Sequence, residues 1–128
     1  MITSIHTISI YVSDQDRALE FYRDALGFAV ITDDRSIPGY RWLTLAPKGS
    51  QTSFQIFHVT PDRTDEAARM GTHTGVVLYT DDIHTDHDNM KARGVKITEA
   101  LRQEMWGWEM QFADPDGNTF ELVQPAAV

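Results

Sequence analysis

The sequence predicts an α+β fold, two tandem βαβββ modules forming a single domain over residues 1–128. Three observations predict it. Ile8-Ser-Ile-Tyr-Val-Ser-Asp14 and Val76-Val-Leu-Tyr-Thr-Asp-Asp82 are both strand-like segments that run into a helical pattern, closed by Gly27 and Gly94 respectively. Tyr11 and Tyr79 stand 68 positions apart, as do Asp14 and Asp82, and a half-length repeat implies two similar units around a shared space. Between them, residues 60–72 are polar, charged and mostly non-periodic, which reads as a linker. The organisation expected is therefore module 1–59, linker 60–72 and module 73–128.

Residues 5–12 alternate, with Ile8, Ile10 and Val12 on one face and Thr7, Ser9 and Tyr11 on the other. Ser13 reads as a helix N-cap, and Asp16 in the first turn suits the helix dipole. Ala18, Leu19, Tyr22, Ala25 and Leu26 then share one helical stripe, which Gly27 ends. Strands follow near 28–32, 40–46 and 52–59, separated by Asp33-Asp34, Pro38-Gly39 and Pro47-Lys-Gly-Ser50. In the second module a helix follows Asp81-Asp82, with Ile83, His87 and Met90 on one stripe. Val95–Thr98 is a short strand. Residues 103–112 and 118–124 form a hairpin around Asp114-Pro-Asp-Gly-Asn118, where proline, aspartate and glycine are strong turn formers.

Composition narrows function. The chain has 11 Lys and Arg against 19 Asp and Glu, a net charge of −8, and the basic residues are scattered. A nucleic-acid partner needs a basic stripe, so none is expected. No apolar run reaches membrane-spanning length, so no membrane partner is expected either. There is no cysteine, which removes disulfides, thiolate metal sites and cysteine nucleophiles. The N-terminal residues show no basic and apolar leader, which points to a cytoplasmic protein.

The segments Tyr11-Val-Ser-Asp-Gln-Asp-Arg-Ala-Leu-Glu-Phe-Tyr-Arg-Asp-Ala-Leu-Gly-Phe28, Tyr79-Thr-Asp-Asp-Ile83 and Asp114-Pro-Asp-Gly-Asn-Thr-Phe-Glu-Leu-Val123 carry a resemblance. The chain resembles the vicinal oxygen chelate superfamily, also called the glyoxalase / bleomycin-resistance / extradiol-dioxygenase superfamily. The resemblance implies a cup-shaped mixed sheet with helices outside, and commonly a homodimer. It leaves function open, because members include isomerases, dioxygenases, thiol transferases and non-catalytic drug-binding proteins.

Catalytic members hold a divalent metal through residues of the first and last strands of each module. Anchored on the neighbouring motifs, those four positions fall on Thr7, Gln55, Gly75 and Glu121. His6 shares the parity of Ile8 and Ile10 and is expected to point away from the cup. His73 has the parity of Gly75 but stands two residues away, roughly 6.6 Å along a strand, against a metal–nitrogen bond of about 2.0–2.1 Å. His84 and His87 belong to the solvated start of an outer helix, and Asp114 and Asp116 are explained by turn chemistry. No metal ligand set and no resident cofactor is therefore assigned.

The residues expected in the cup are Thr7, Ser9, Tyr11, Gln55, Phe57, His73, Tyr79 and Glu121. Trp42, Trp106 and Trp108 join them as aromatic ligand contacts, since Trp offers an apolar face with one polar handle. Gly107, between two tryptophans, suggests exposed backbone at a pocket mouth. Glu121 would be an isolated, partly buried carboxylate with a raised pKa, the candidate catalytic base. The inventory favours a protein that binds a small aromatic or amphipathic ligand in a cup lacking the standard metal site. Two enzymatic alternatives stay open. One is a divalent-metal-dependent lyase, isomerase or dioxygenase using Glu121 with Gln55 or His73. The other is a metal-independent enzyme with Glu121 as general base.

Overall fold

A computed structural model describes residues 1–127. It comprises two compact units, one over Met1–Met70 and one from Gly71 onward. Each is a four-stranded mixed sheet with the βαβββ order that the repeat predicts.

In the first unit, β1 (Thr7–Val12) leads into α1 (Gln15–Glu20), then β2 (Ala29–Asp34), β3 (Trp42–Ala46) and β4 (Ser53–His58). The sheet order is β1-β4-β3-β2, with β1 and β4 parallel and Ser9 opposite Gln55. The alternation of β1 decides its faces: Ile10 and Val12 are buried with Leu43, Leu45, Phe54 and Ile56 against Ala18, Tyr22 and Phe28. Burying each large apolar side chain contributes about 1.5–3 kcal/mol. The other face carries Thr7, Ser9, Tyr11, Gln55 and Phe57.

Three local expectations change. Asp14, not Ser13, caps α1, because its extended backbone lets its carboxylate accept from the Arg17 amide at 3.1 Å. After Glu20 the helix widens into a π-helical turn over Phe21–Ala25, closed by the Leu26 amide donating to the Phe21 carbonyl at 3.2 Å. The widened turn keeps Tyr22 in the core, where its ring meets Phe28 and Phe54. Residues 60–72, expected as a linker, hold a short helix, α2 (Thr64–Arg69).

The second unit runs β5 (His73–Tyr79), α3 (Ile83–Ala92), β6 (Lys96–Glu104), β7 (Gly107–Ala113) and β8 (Thr119–Pro125), in the order β5-β8-β7-β6. Asp82 caps α3 by accepting from the Thr85 amide, and the Gln124 side chain accepts from the Ile83 amide at 2.9 Å. Met110, Phe112, Phe120 and Leu122 form the core with Ile83 and Met90. The strand expected over Val95–Thr98 is longer, and residues 103–104 belong to it. The chain reverses at Met105-Trp106, so β7 starts at Gly107. Asp114 organises the β7–β8 turn, accepting from the amides of Asp116 and Asn118. Among the described residues, no helix is long and apolar enough to cross a membrane.

Candidate functional site

Each unit turns one sheet face to its helix and leaves the other open, and nearly all the expected site residues lie on the open faces. On the first unit, Ser9 Oγ donates to Gln55 Oε1 at 3.1 Å, which aims the Gln55 amide nitrogen at the Tyr40 hydroxyl, 3.4 Å away. Tyr11 and Phe57 meet edge to face, their centroids 5.5 Å apart. Arg63 lies over the Phe57 ring at 5.2 Å, and Arg69 lies over Tyr11 at 5.9 Å and donates to its hydroxyl. Both arginines come from the expected linker. Thr7, opposite Ser53, and Trp42, opposite Asp34, are half-buried.

The open face of the second unit carries a chain of polar side chains beside Val77 and Tyr79. Thr98 Oγ1 donates to Gln111 Oε1 at 2.7 Å, and Gln111 Nε2 donates to Glu121 Oε1 at 3.1 Å. The threonine thus sets the orientation of the glutamine amide. Glu121 Oε2 is buried and accepts no hydrogen bond. Burial pushes the Glu121 carboxyl above the usual carboxylate range. A donor from Gln111 works against the rise, while the neighbouring Glu109 carboxylate and the charge of Glu99 add to it. Glu109 is itself held by Arg102 at 3.1 Å and by the Trp106 indole N–H at 3.1 Å. Arg102 also contacts Glu104 and Glu99, so this cluster of carboxylates surrounds one guanidinium.

β5 is bulged. His73 pairs with Thr119 and Val77 with Glu121, so two extra residues of β5 lie between these pairs, with Gly75 at φ +73°. His73 Nδ1 meets the Thr119 hydroxyl at 2.8 Å rather than Glu121. Among the described residues, no group of three or more His, Asp or Glu side chains is placed to hold a metal ion.

Two expectations about the tryptophan pair need correction. Trp108 alternates with Glu109 and shares the side of Met110 and Phe112. Its ring packs edge-on against His84 of α3, 4.7 Å between centroids, on the helix side of the sheet. Gly107 is not exposed backbone. It is buried, and a Cβ there would stand 2.0 Å from the Gln124 carbonyl oxygen, so glycine permits β7 and β8 to approach. Trp106, 53% exposed, does lie beside the open face.

A model of the Glyoxalase/Bleomycin resistance protein/Dioxygenase superfamily matches residues 4–122. The chain belongs to this superfamily. It is 34% identical over 124 residues to the uncharacterized protein YetH of Bacillus subtilis (strain 168), covering 97% of this chain and 100% of that one. Among solved structures, a superfamily member from Sphaerobacter thermophilus DSM 20745 matches with a TM-score of 0.85 and 36% identity, over 96% of this chain and 98% of the other. TnmS3, an antibiotic binding protein from Streptomyces sp. CB03234, matches with a TM-score of 0.81 and 33% identity, over 98% of each chain.

Within this superfamily the donor set matters most. Thr7 offers a hydroxyl, Gln55 Oε1 already accepts from Ser9, and Gly75 has no side chain. Glu121 is the one anionic donor among the four positions. A divalent cation that polarises vicinal oxygens needs several imidazole or carboxylate ligands with open positions, and these four positions supply one carboxylate and no imidazole. Glu109, Gln111, Arg63 and Arg69 escaped the sequence reading. The alternation of Glu109 and Gln111 with Met110 and Phe112 carried a signal for the first two. Nothing local marked the arginines.

Proposed function

We propose that this superfamily member binds a small aromatic or amphipathic molecule on the open faces of its sheets, without the standard metal site. The observation that supports this most is the donor set at the four ligand positions, Thr7, Gln55, Gly75 and Glu121. The antibiotic-binding neighbour TnmS3 supports the ligand class. On the first unit Tyr11, Trp42 and Phe57 supply apolar surface and Ser9 and Gln55 polar contacts; on the second, Tyr79 and Trp106 supply the one and His73 and Glu121 the other. That mixture suits a ligand with a flat apolar body. The proposal extends to a cytoplasmic location, checked by cell fractionation, and to a homodimer.

The raised carboxyl of Glu121 favours a second reading, a metal-independent proton transfer with Glu121 as base. In the first reading, tag-free protein carries no stoichiometric divalent metal, and planar aromatic compounds quench its tryptophan fluorescence saturably. A stoichiometric metal that is lost in Glu121→Ala overturns it. In the second reading, Glu121→Gln abolishes turnover of a bound ligand while leaving the quenching intact.

A further inference from the structure

The ladder between β3 and β4 is short. Thr44 pairs with Gln55 and Leu45 with Phe54, and there it stops, although β3 continues to Trp42 and β4 to His58. The two strands part, and a side chain bridges the gap. The Gln15 amide at the start of α1 donates to the Ile56 carbonyl at 2.9 Å and to the Arg41 carbonyl at 3.3 Å. A cavity of about 130 Å³ opens at this parting, walled by Tyr40 and Phe57 and bordered by Arg63. A cavity of about 150 Å³ is known to take benzene, so this one is the size of a single ring.

The hydrogen-bonding groups around it are partly engaged. Three of its acceptors are engaged: Gln15 donates to the two carbonyls, and Ser9 donates to Gln55 Oε1. Two of its donors are not. The Tyr40 hydroxyl accepts from Gln55, which leaves its own proton to give. Arg63 hydrogen-bonds Glu66 through Nη1 alone, at 3.2 Å, leaving other guanidinium protons free. The second guanidinium nearby, Arg41, is spent: Asp33 holds it through two nitrogens and Asp16 through a third. A slot with two aromatic side chains and two spare donors in a largely polar wall favours a ring that carries an anionic acceptor.

We infer that the parting between β3 and β4 is a binding site for an aryl carboxylate, its ring between Tyr40 and Phe57 and its carboxylate on Arg63 and the Tyr40 hydroxyl. The site shares Gln55 and Phe57 with the open face but does not rest on a ligand there.

The probe is benzoate, followed by amide resonances of the whole chain, with benzylamine as a ring of similar size that only donates. Benzoate is expected to shift the Gln15 side-chain amide and the Ile56 and His58 backbone amides saturably, and benzylamine is not. Arg63→Gln should weaken benzoate by about fivefold or more, the scale of one charge-assisted hydrogen bond at a partly exposed site. Tyr40→Phe should weaken it less, and Glu66→Gln should tighten it by freeing the guanidinium. Arg63 is 51% exposed, and an unchanged dispersion of resonances verifies that its variant folds. Benzylamine binding as tightly, Arg63→Gln without effect, or benzoate shifts confined to β7 and β8 would each overturn the assignment. So would the absence of any saturable shift. A failure here leaves the tryptophan-quenching test of the open face standing.

Discussion

Gln55 and Glu121 occupy equivalent places in the two units, each on a last strand beside a parallel first strand. Their neighbours decide what each does. Gln55 is neutral and held between Ser9 and Tyr40, so it can fix a ligand's orientation but not accept a proton. Glu121 keeps one oxygen on Gln111 and the other buried without a donor, beside Glu109. Burial strips water from the ionised form, and the neighbouring Glu109 adds to the cost, which is why its carboxyl is raised. The consequence for stability has a definite sign. A carboxyl raised on folding holds more protons in the folded than in the unfolded chain at intermediate pH. It therefore favours folding below its ordinary range and loses that contribution as pH rises through the raised value. Glu121→Gln keeps an acceptor for Gln111, presents an amide to Glu109 and cannot ionise. The variant should melt higher than the parent at pH 8, with the advantage shrinking toward pH 4. Melting curves across that range check it, and an advantage that grows toward acid would contradict the carboxylate pair.

At the scale of elements, the close approach of β7 to β8 hangs on Gly107. A methyl group there meets the Gln124 carbonyl at 2.0 Å and the Ala126 amide at 2.7 Å, both backbone atoms that cannot turn aside. Gly75 also has a positive φ, but a Cβ there meets nothing within 4 Å. Gly75→Ala should then cost only the left-handed backbone, about 1–2 kcal/mol, whereas Gly107→Ala adds overpacking of roughly 1–3 kcal/mol. Urea denaturation of both variants separates them, and equal losses would mean that the strands part freely. The same contrast explains what was legible in the sequence. The α3 cap at Asp82, the Asp114–Asn118 turn and the faces of β1 and β8 are written in neighbouring residues, through capping, turn chemistry and alternation. The open-face parity of Gln55 and Glu121 followed from the same alternation. The packing of α2 on β1, the π-helical turn, the burial of Gly107 and the parting of β3 from β4 depend on residues distant in sequence. Trp108 was placed among the ligand contacts for its aromatic chemistry rather than by strand parity, which sets it with Met110 and Phe112.

Across the whole molecule, the repeat preserves backbone plan while its open faces diverge. The first unit's face carries aromatic rings overlaid by arginine, and the second carries a carboxylate cluster around Arg102. The second face also leaves large apolar side chains uncovered on β5: Val77 is 54% exposed and Tyr79 is 75% exposed. Both point away from the core of their own unit, so neither contributes much to its folding. Exposed apolar side chains on adjacent positions of one strand face are an unfavourable surface for a lone chain and a favourable one for association. If they are covered in a homodimer, Val77→Asp with Tyr79→Asp should place charges in that contact, where burial without a partner is costly. The doubly substituted chain should sediment at the mass of a single 14.5 kDa chain while the parent sediments at twice that mass. Its circular dichroism should stay that of the parent, because the substituted side chains lie outside the core. A parent that sediments as a single chain would remove the dimer from the proposal. A variant that stays dimeric would move the contact away from β5.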